Sequence, residues 1–469
     1  SQASFPVVRD TTRDTSLMNS RKHSLISIVA IVLSCLIAIP GAAQQDEQAE
    51  RDERDQQKTK QAQAVSKEVY DRIQVAQKEI DEENFSAALN TLRSLETRKG
   101  ITEYELQNVL NYIGFVQYST DDVNGAIATY RKMLQIPSIE EQIKKQTIYT
   151  LAQLNTMQEN FREALRLLDQ WFALEPNPAP EPYILYAQNL YQENRYADMV
   201  RPIETAMSIA RERDLEIKED WYVLLNFAYF QQENYAKVRD IQKILLQSWP
   251  KKNYWFALAG AYTELGEEMN LMASYSAANT QALLEKESEL VTMAQLYMQH
   301  EVPYKAARLL EAEMEKGRVA KDDKNYRLLS QAWTLAQEDD KAIPALREAA
   351  RLSDDGELFL RLGNAYLIVA EHADCVTSVQ NGLRKGNIKS PENAHITLGM
   401  CQYNLQRYQD AIASFREAAK TSKARRTAEQ WISVIQADLE RNEQIRLAEA
   451  AARRQQEALA KRRRTAERF

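Results

Sequence analysis

Glycine and proline are scarce, at 12 residues each in a chain of 469. Average usage would supply roughly 33 and roughly 23. The shortage argues against a turn-dense all-β protein, against collagen and against an enzyme built on a glycine-rich phosphate loop. Cysteine is scarcer still, and three in the whole chain exclude a disulfide-built scaffold. Four histidines give no basis for a His-rich metal site. Charge of one sign is not in large excess: the formal net is −7, with no overall drive toward nucleic acid. No HExxH, nucleophile elbow or CxxC occurs. The chain therefore reads as non-enzymatic, without cofactor or metal. What it does have is 44% hydrophobic residues, enough for a real core.

Long apolar runs are also missing, with one exception. Met18 is followed by a basic head (Arg21, Lys22, His23), an apolar run from Leu25 to Ile39, and then Pro40-Gly41-Ala42-Ala43. That is the three-part layout of a secretory signal, with small residues at Gly41 and Ala43 for cleavage. The run is short for a membrane span of about 20 residues. We expect residues 18–43 to be a cleaved signal and residues 1–17 to be absent from the mature protein. The alternative is an uncleaved inner-membrane anchor. Cys35 sits inside the run and is read as part of it. Residues 44–66 are almost purely polar and form a linker. Residues 44–469 carry 56 basic and 65 acidic side chains, a net of −9.

From Val69 onward the helical periodicity is nearly continuous. The clearest unit runs from Asn393 to Ser422, with Leu398, Gly399, Tyr408, Ala411, Phe415 and Ala418 at its apolar and small positions. It resembles the tetratricopeptide repeat, a helix–turn–helix of about 34 residues. Sliding the template backward places a small first-helix site at Ala76, Gly114, Ala152, Ala187, Asn226, Ala259, Ala294, Ser330, Gly363 and Gly399. Twelve residues after each comes a second-helix site: Ala88, Ala126, Ala164, Met199, Val238, Leu271, Ala306, Ala342, Cys375 and Ala411. Two antiparallel helices approach closely only where both carry small side chains, and one pair cannot cover its own apolar face. The steps between units are uneven, and the longest, into Gly114, Ala152 and Asn226, imply extended helices or loops. The Asn226 and Ala259 units depart from the pattern.

The fold expected is therefore all-α: a right-handed tetratricopeptide superhelical solenoid of about ten units over residues 67–422. Residues 423–440 then form a capping helix. Residues 441–469 form a basic Ala/Arg-rich tail, helical or disordered, with nine bases and four acids against −14 for residues 44–440.

Such solenoids present a concave surface, mainly from the first helix of each unit. The register puts Phe115, Tyr118, Tyr149, Tyr191, Phe227, Phe230 and Phe256 along it, interspersed with Asn108, Asn111, Gln153 and Gln188. Lys324, Arg327, Gln331 and Asn364 follow. Rings for buried area and amides for a backbone suit an extended or helical peptide. The competing reading is that the rings belong to the core, because a one-position error in register turns them inward. Lys324 and Arg327 do not reproduce a paired carboxylate clamp. Cys375 and Cys401 lie on adjacent helices, either bonded or as two free buried thiols. The tail, with Arg462, Arg463 and Arg464, has three readings: a helix for a partner helix, a patch for anionic membrane, or a solubilising end.

In overall layout the chain resembles the periplasmic tetratricopeptide proteins that accompany TonB–ExbB–ExbD systems. The resemblance implies a periplasmic scaffold with partners among TonB or inner-membrane motor components, in support of uptake across the outer membrane. Two alternatives stand beside it: a scaffold for polysaccharide export or outer-membrane biogenesis, and a glycan-binding solenoid whose rings stack on sugars.

Overall fold

The computed structural model describes residues 65–466, with side chains to residue 460. The upstream segment, the signal at 18–43 and the linker up to residue 64 lie outside the described residues. So do the side chains of Arg462, Arg463 and Arg464.

Among the described residues there are 21 α-helices, one short 3₁₀ helix and no strand. In chain order the helices are α1 Lys67–Asp81, α2 Phe85–Glu96, α3 Glu103–Ser119, α4 Val123–Met133, α5 Glu141–Met157, α6 Phe161–Leu174 and α7 Pro180–Gln192. The 3₁₀ turn Ala197–Met199 precedes α8 Val200–Glu212, followed by α9 Glu219–Gln231, α10 Tyr235–Ser248 and α11 Lys252–Glu264. After them come α12 Glu268–Thr280, α13 Glu287–Gln299, α14 Pro303–Glu315, α15 Asp323–Leu335 and α16 Asp339–Leu352. The last are α17 Gly356–Ile368, α18 His372–Lys385, α19 Pro391–Asn404, α20 Tyr408–Ala419 and α21 Ser422–Ala466. The chain divides into two compact bodies, one ending at Gly266 and the other beginning at Glu267.

Odd-numbered helices carry the first small site of each unit and even-numbered helices the second, except that Met199 ends the 3₁₀ turn just before α8. Except at Asn226 and Leu271, both sites are buried in every unit. The reason is visible at the glycines. A methyl group on Gly114 would stand 2.7 Å from the Tyr130 ring, and one on Gly399 would stand 2.8 Å from the Phe415 ring. Gly363 meets Val379 in the same way. All three partners stand at the same offset along the chain from their glycines, so the same helix-to-helix contact recurs.

The turn is equally regular. Seven residues after each small site the backbone enters the left-handed region: Glu83, Asp121, Glu159, Asn194, Glu233, Gly266, Glu301, Gln337, Ala370 and Gln406. The next residue's N–H returns to the carbonyl five back, as in Asn84 to Glu79 (2.7 Å), Asn234 to Tyr229 (3.0 Å) and Arg407 to Gln402 (2.8 Å). This is the Schellman closure of a helix C-terminus. The left-handed residue marks all ten units, including the two whose small sites are irregular. The long steps into Gly114 and Ala152 come from an extra turn at the N-termini of α3 and α5, each 17 residues long.

Hairpins are tied to their successors by acids in the first turn of an odd helix. Glu219 accepts from Lys251 Nζ at 2.7 Å. Glu287 accepts from Asn325 Nδ2 at 2.7 Å. Glu357 accepts from the Lys389 N–H at 3.2 Å. At the end of the second body α21 lies on α20, burying Ala424, Ala428 and Ile435. Trp431 stacks on Phe415 at 5.7 Å. The cap and the tail are one unbroken helix of 45 residues.

Candidate functional site

Three residues after the small site, five consecutive units carry a large ring: Tyr229, Tyr262, Tyr297, Trp333 and Tyr366. Each lies under a cation. Lys237, Lys305 and Lys341 reach the rings of their own hairpins from eight residues downstream, at 6.0, 6.0 and 4.5 Å. Lys243 and Arg347 reach Tyr262 and Tyr366 from the preceding hairpin, at 5.9 and 5.8 Å. In the first, second and last units the same position is polar and bonds across its hairpin, with Glu79 accepting from Thr91 at 3.0 Å. Gln117 accepts from Thr129 at 2.6 Å and Gln402 from Ser414 at 2.7 Å. Rings at this position are thus committed to structure.

Five of the candidate binding rings stand one or four residues after the small site, and Tyr149 and Phe256 stand three residues before it. All lie in the first body, and all but Phe256 divide into two groups. Phe115, Tyr118 and Tyr149 are half-buried and pack against the core formed by α1 to α6 with Leu185 of α7. Tyr149 lies 5.0 Å from Trp171, and burial, with Glu181 adding to it, pushes its hydroxyl pKa up. Burial, followed by Asp121, also raises that of Tyr118. For these three the core reading is the better one.

The second group lies on α7 and α9. Tyr191 and Phe230 hold equivalent positions in consecutive units and are 37% and 39% exposed. Phe227 lies 5.0 Å from Tyr191, edge to face. Tyr196 closes the group, 5.9 Å from Tyr191 and 5.2 Å from Phe227. Tyr235 stands 6.0 Å from Phe230. Gln188, one turn before Tyr191, is exposed. The result is a ring platform spanning two hairpins, with an amide at its edge. Sequence reasoning did not select Tyr196 and Tyr235. Both lie nine residues after their small sites, where Phe85, Phe161 and Tyr408 also fall, so that repeat position was the available signal.

The remaining candidates are placed apart. Phe256 on α11 is half-buried, with Lys252 over its ring at 5.7 Å. Gln153 is buried, and the Asn108 side chain is turned back onto the Tyr104 carbonyl at 2.8 Å. Lys324 and Arg327 belong to the second body, where Lys324 is exposed and Arg327 is half-buried, 3.5 Å from Asp323. Cys375 on α18 and Cys401 on α19 are joined by a disulfide, with their Cα atoms 6.2 Å apart and both side chains fully buried. His300, His372 and His395 lie on separate hairpins. Among the described residues no group of His, Cys, Asp and Glu could hold a metal ion. No helix of the described residues is long and apolar enough to cross a membrane.

No protein-family model matches the chain, and no curated protein matches it. Similar solved structures are repeat proteins. A tetratricopeptide repeat protein from Parabacteroides merdae is 12% identical, with 61% of this chain and 94% of that one covered, at a TM-score of 0.35. YrrB, a TPR protein with an unusual peptide-binding site, is 13% identical over 40% of this chain and 95% of its own, at 0.32. MamA from Desulfovibrio magneticus RS-1 is 12% identical over 39% and 95%, also at 0.32. The fold here is the tetratricopeptide fold, carried by the repeated hairpins and their turns within each body.

Proposed function

We propose that the platform on α7 and α9 grips a segment of another protein, and that the chain organises partner proteins without catalysing a reaction. The exposure of Tyr191 and Phe230 at equivalent positions carries this reading. Core rings in neighbouring hairpins are half-buried or buried, whereas these two are more than a third exposed beside the exposed amide of Gln188. A segment crossing both helices gains apolar area from the rings and a backbone partner from Gln188.

The finer part of the proposal concerns place and partner. The layout of residues 18–43 supports export to the periplasm. Resemblance in layout supports an accessory role in a TonB-dependent uptake system, with TonB, ExbB or ExbD-type components as partners. Photo-crosslinking in intact cells from a reactive residue at Tyr191 or Phe230 tests both levels. Recovery of TonB-system components supports the finer reading. Recovery only of other envelope proteins defeats it and leaves the scaffold standing. No crosslinked protein from either position defeats the scaffold reading. N-terminal sequencing of the protein from cells tests export: a first residue at Gln44 is expected.

A further inference from the structure

The first part of α21 caps the second body, and the helix then runs on from Arg441 to Ala466, roughly 39 Å at 1.5 Å per residue. Every side chain from residue 441 to 460 is exposed. This stretch is not uniformly polar. At about 100° per residue, Arg446, Glu449, Arg453, Arg454 and Glu457 fall within one arc of about 140°. The opposite side carries Ile445, Leu447, Ala448, Ala451, Ala452, Ala458 and Leu459 without a charge between residues 444 and 459. Ile445, Ala452 and Leu459 follow at heptad spacing, with Ala448 between the first two. Ile445, Leu447 and Leu459 are each about half exposed, at 51, 52 and 51%.

We infer that this free helix pairs with the same helix of a second copy of the chain, antiparallel, through the Ile445–Ala452–Leu459 face. Three observations select that occupant. The face is narrow and rich in alanine, so another helix can approach closely, whereas its apolar area is small for insertion into lipid. Its length matches itself: an antiparallel alignment centred on Ala452 sets Ile445 against Leu459 of the second copy at both ends. The charges then fix the direction. Residues 441–449 are neutral overall, and residues 450–469 hold the whole +5 of the tail. A parallel pair would set +5 beside +5, but an antiparallel pair lays each basic half along the Glu440 and Glu443 stretch of the other copy.

The seam is shorter than a standard protein interface of about 800 Å² per partner, so the dimer is concentration-dependent. Sedimentation velocity of the full chain over a hundredfold concentration range is expected to show monomer passing to dimer. Ala452→Glu, which puts like charges at the centre of the seam, and a chain ended after Glu440 should each remain monomeric with an unchanged melting temperature. Ile445→Cys mixed with Leu459→Cys should give a disulfide-linked dimer that neither variant forms alone. A monomer at every concentration overturns the inference, and so does a dimer that survives both variants. Linkage of Ile445→Cys to itself, without the mixed product, overturns the antiparallel arrangement. Binding of the monomer to vesicles of anionic lipid, lost in the chain ended after Glu440, would overturn the inference in favour of a membrane surface.

Discussion

Gly114 and Tyr130 meet as backbone against ring: a methyl group on the glycine would come within 2.7 Å of the tyrosine. Gly114→Ala therefore has to push the ring out of a packed core, and a loss of about 1–3 kcal/mol is expected. Gly260 is the control. It is also helical, but a methyl there meets no atom within 4 Å. Gly260→Ala should stabilise by about 0.5–1 kcal/mol through helix propensity alone. Denaturant melts of the two variants would have opposite signs; equal signs would contradict the packing account.

Ala370 holds the left-handed turn position of its hairpin at φ 61° without glycine's freedom. Ala370→Gly is expected to stabilise by about 0.5–1 kcal/mol, because the strain removed exceeds the entropy added to the unfolded chain. A midpoint that moves downward would show that the turn is unstrained.

Glu105 is buried and accepts from the Ser66 N–H and hydroxyl at 2.8 and 2.7 Å and from the Thr102 N–H at 2.9 Å. Burial alone would raise its pKa, but these hydrogen bonds outweigh burial and bring the carboxyl from an ordinary 4.5 down to about 2. A depressed folded-state pKa contributes stability that is fully present above the ordinary value and is lost as pH falls from about 4.5 toward about 2. Glu105→Gln should melt well below the parent at neutral pH, with the gap shrinking as the pH approaches about 3. A gap independent of pH would mean that the charge is irrelevant.

The Cys375–Cys401 bond closes a loop of 26 residues between α18 and α19. A closure of that size constrains the unfolded chain by about 3 kcal/mol. Reductant should lower the melting transition of the second body and leave that of the first in place. The Cys375→Ala, Cys401→Ala double variant should show the low value with or without reductant.

Tyr191→Ala with Phe230→Ala is expected to abolish partner crosslinking while moving the melting temperature little, since both rings are part-exposed. Tyr149→Ala removes a ring packed on Trp171 and should cost about 2–4 kcal/mol. If Tyr149→Ala were the milder change in stability, the division of the rings into core and platform would be wrong.

The hairpins were legible because a tight helix contact leaves few choices. At Ala88, Ala126 or Gly399 only a small side chain fits, so the spacing of Ala and Gly reports packing directly. The irregular units became legible only through the backbone. Asn226 and Leu271 do not look like small sites, but the turns at Glu233 and Gly266 keep their places. Ring exposure was harder to read. Phe115 and Phe227 occupy the same repeat position, and neighbouring packing, which the repeat template does not encode, decides which one lines a core made by α1 to α6. The cations over Tyr262 and Tyr366 come from the second helix of the preceding hairpin, a relation visible only once the helices are stacked.

The fixed beat from small site to left-handed turn sets where this chain can tolerate inserted sequence. Within a hairpin, one added residue would throw the Schellman closure and the glycine-to-ring contact out of register together. Between hairpins, in stretches such as 175–179 or 213–218, natural lengths already differ. Reporter tags or whole additional hairpins placed there would be accommodated, and the array can lengthen by duplication without redesign of any existing unit.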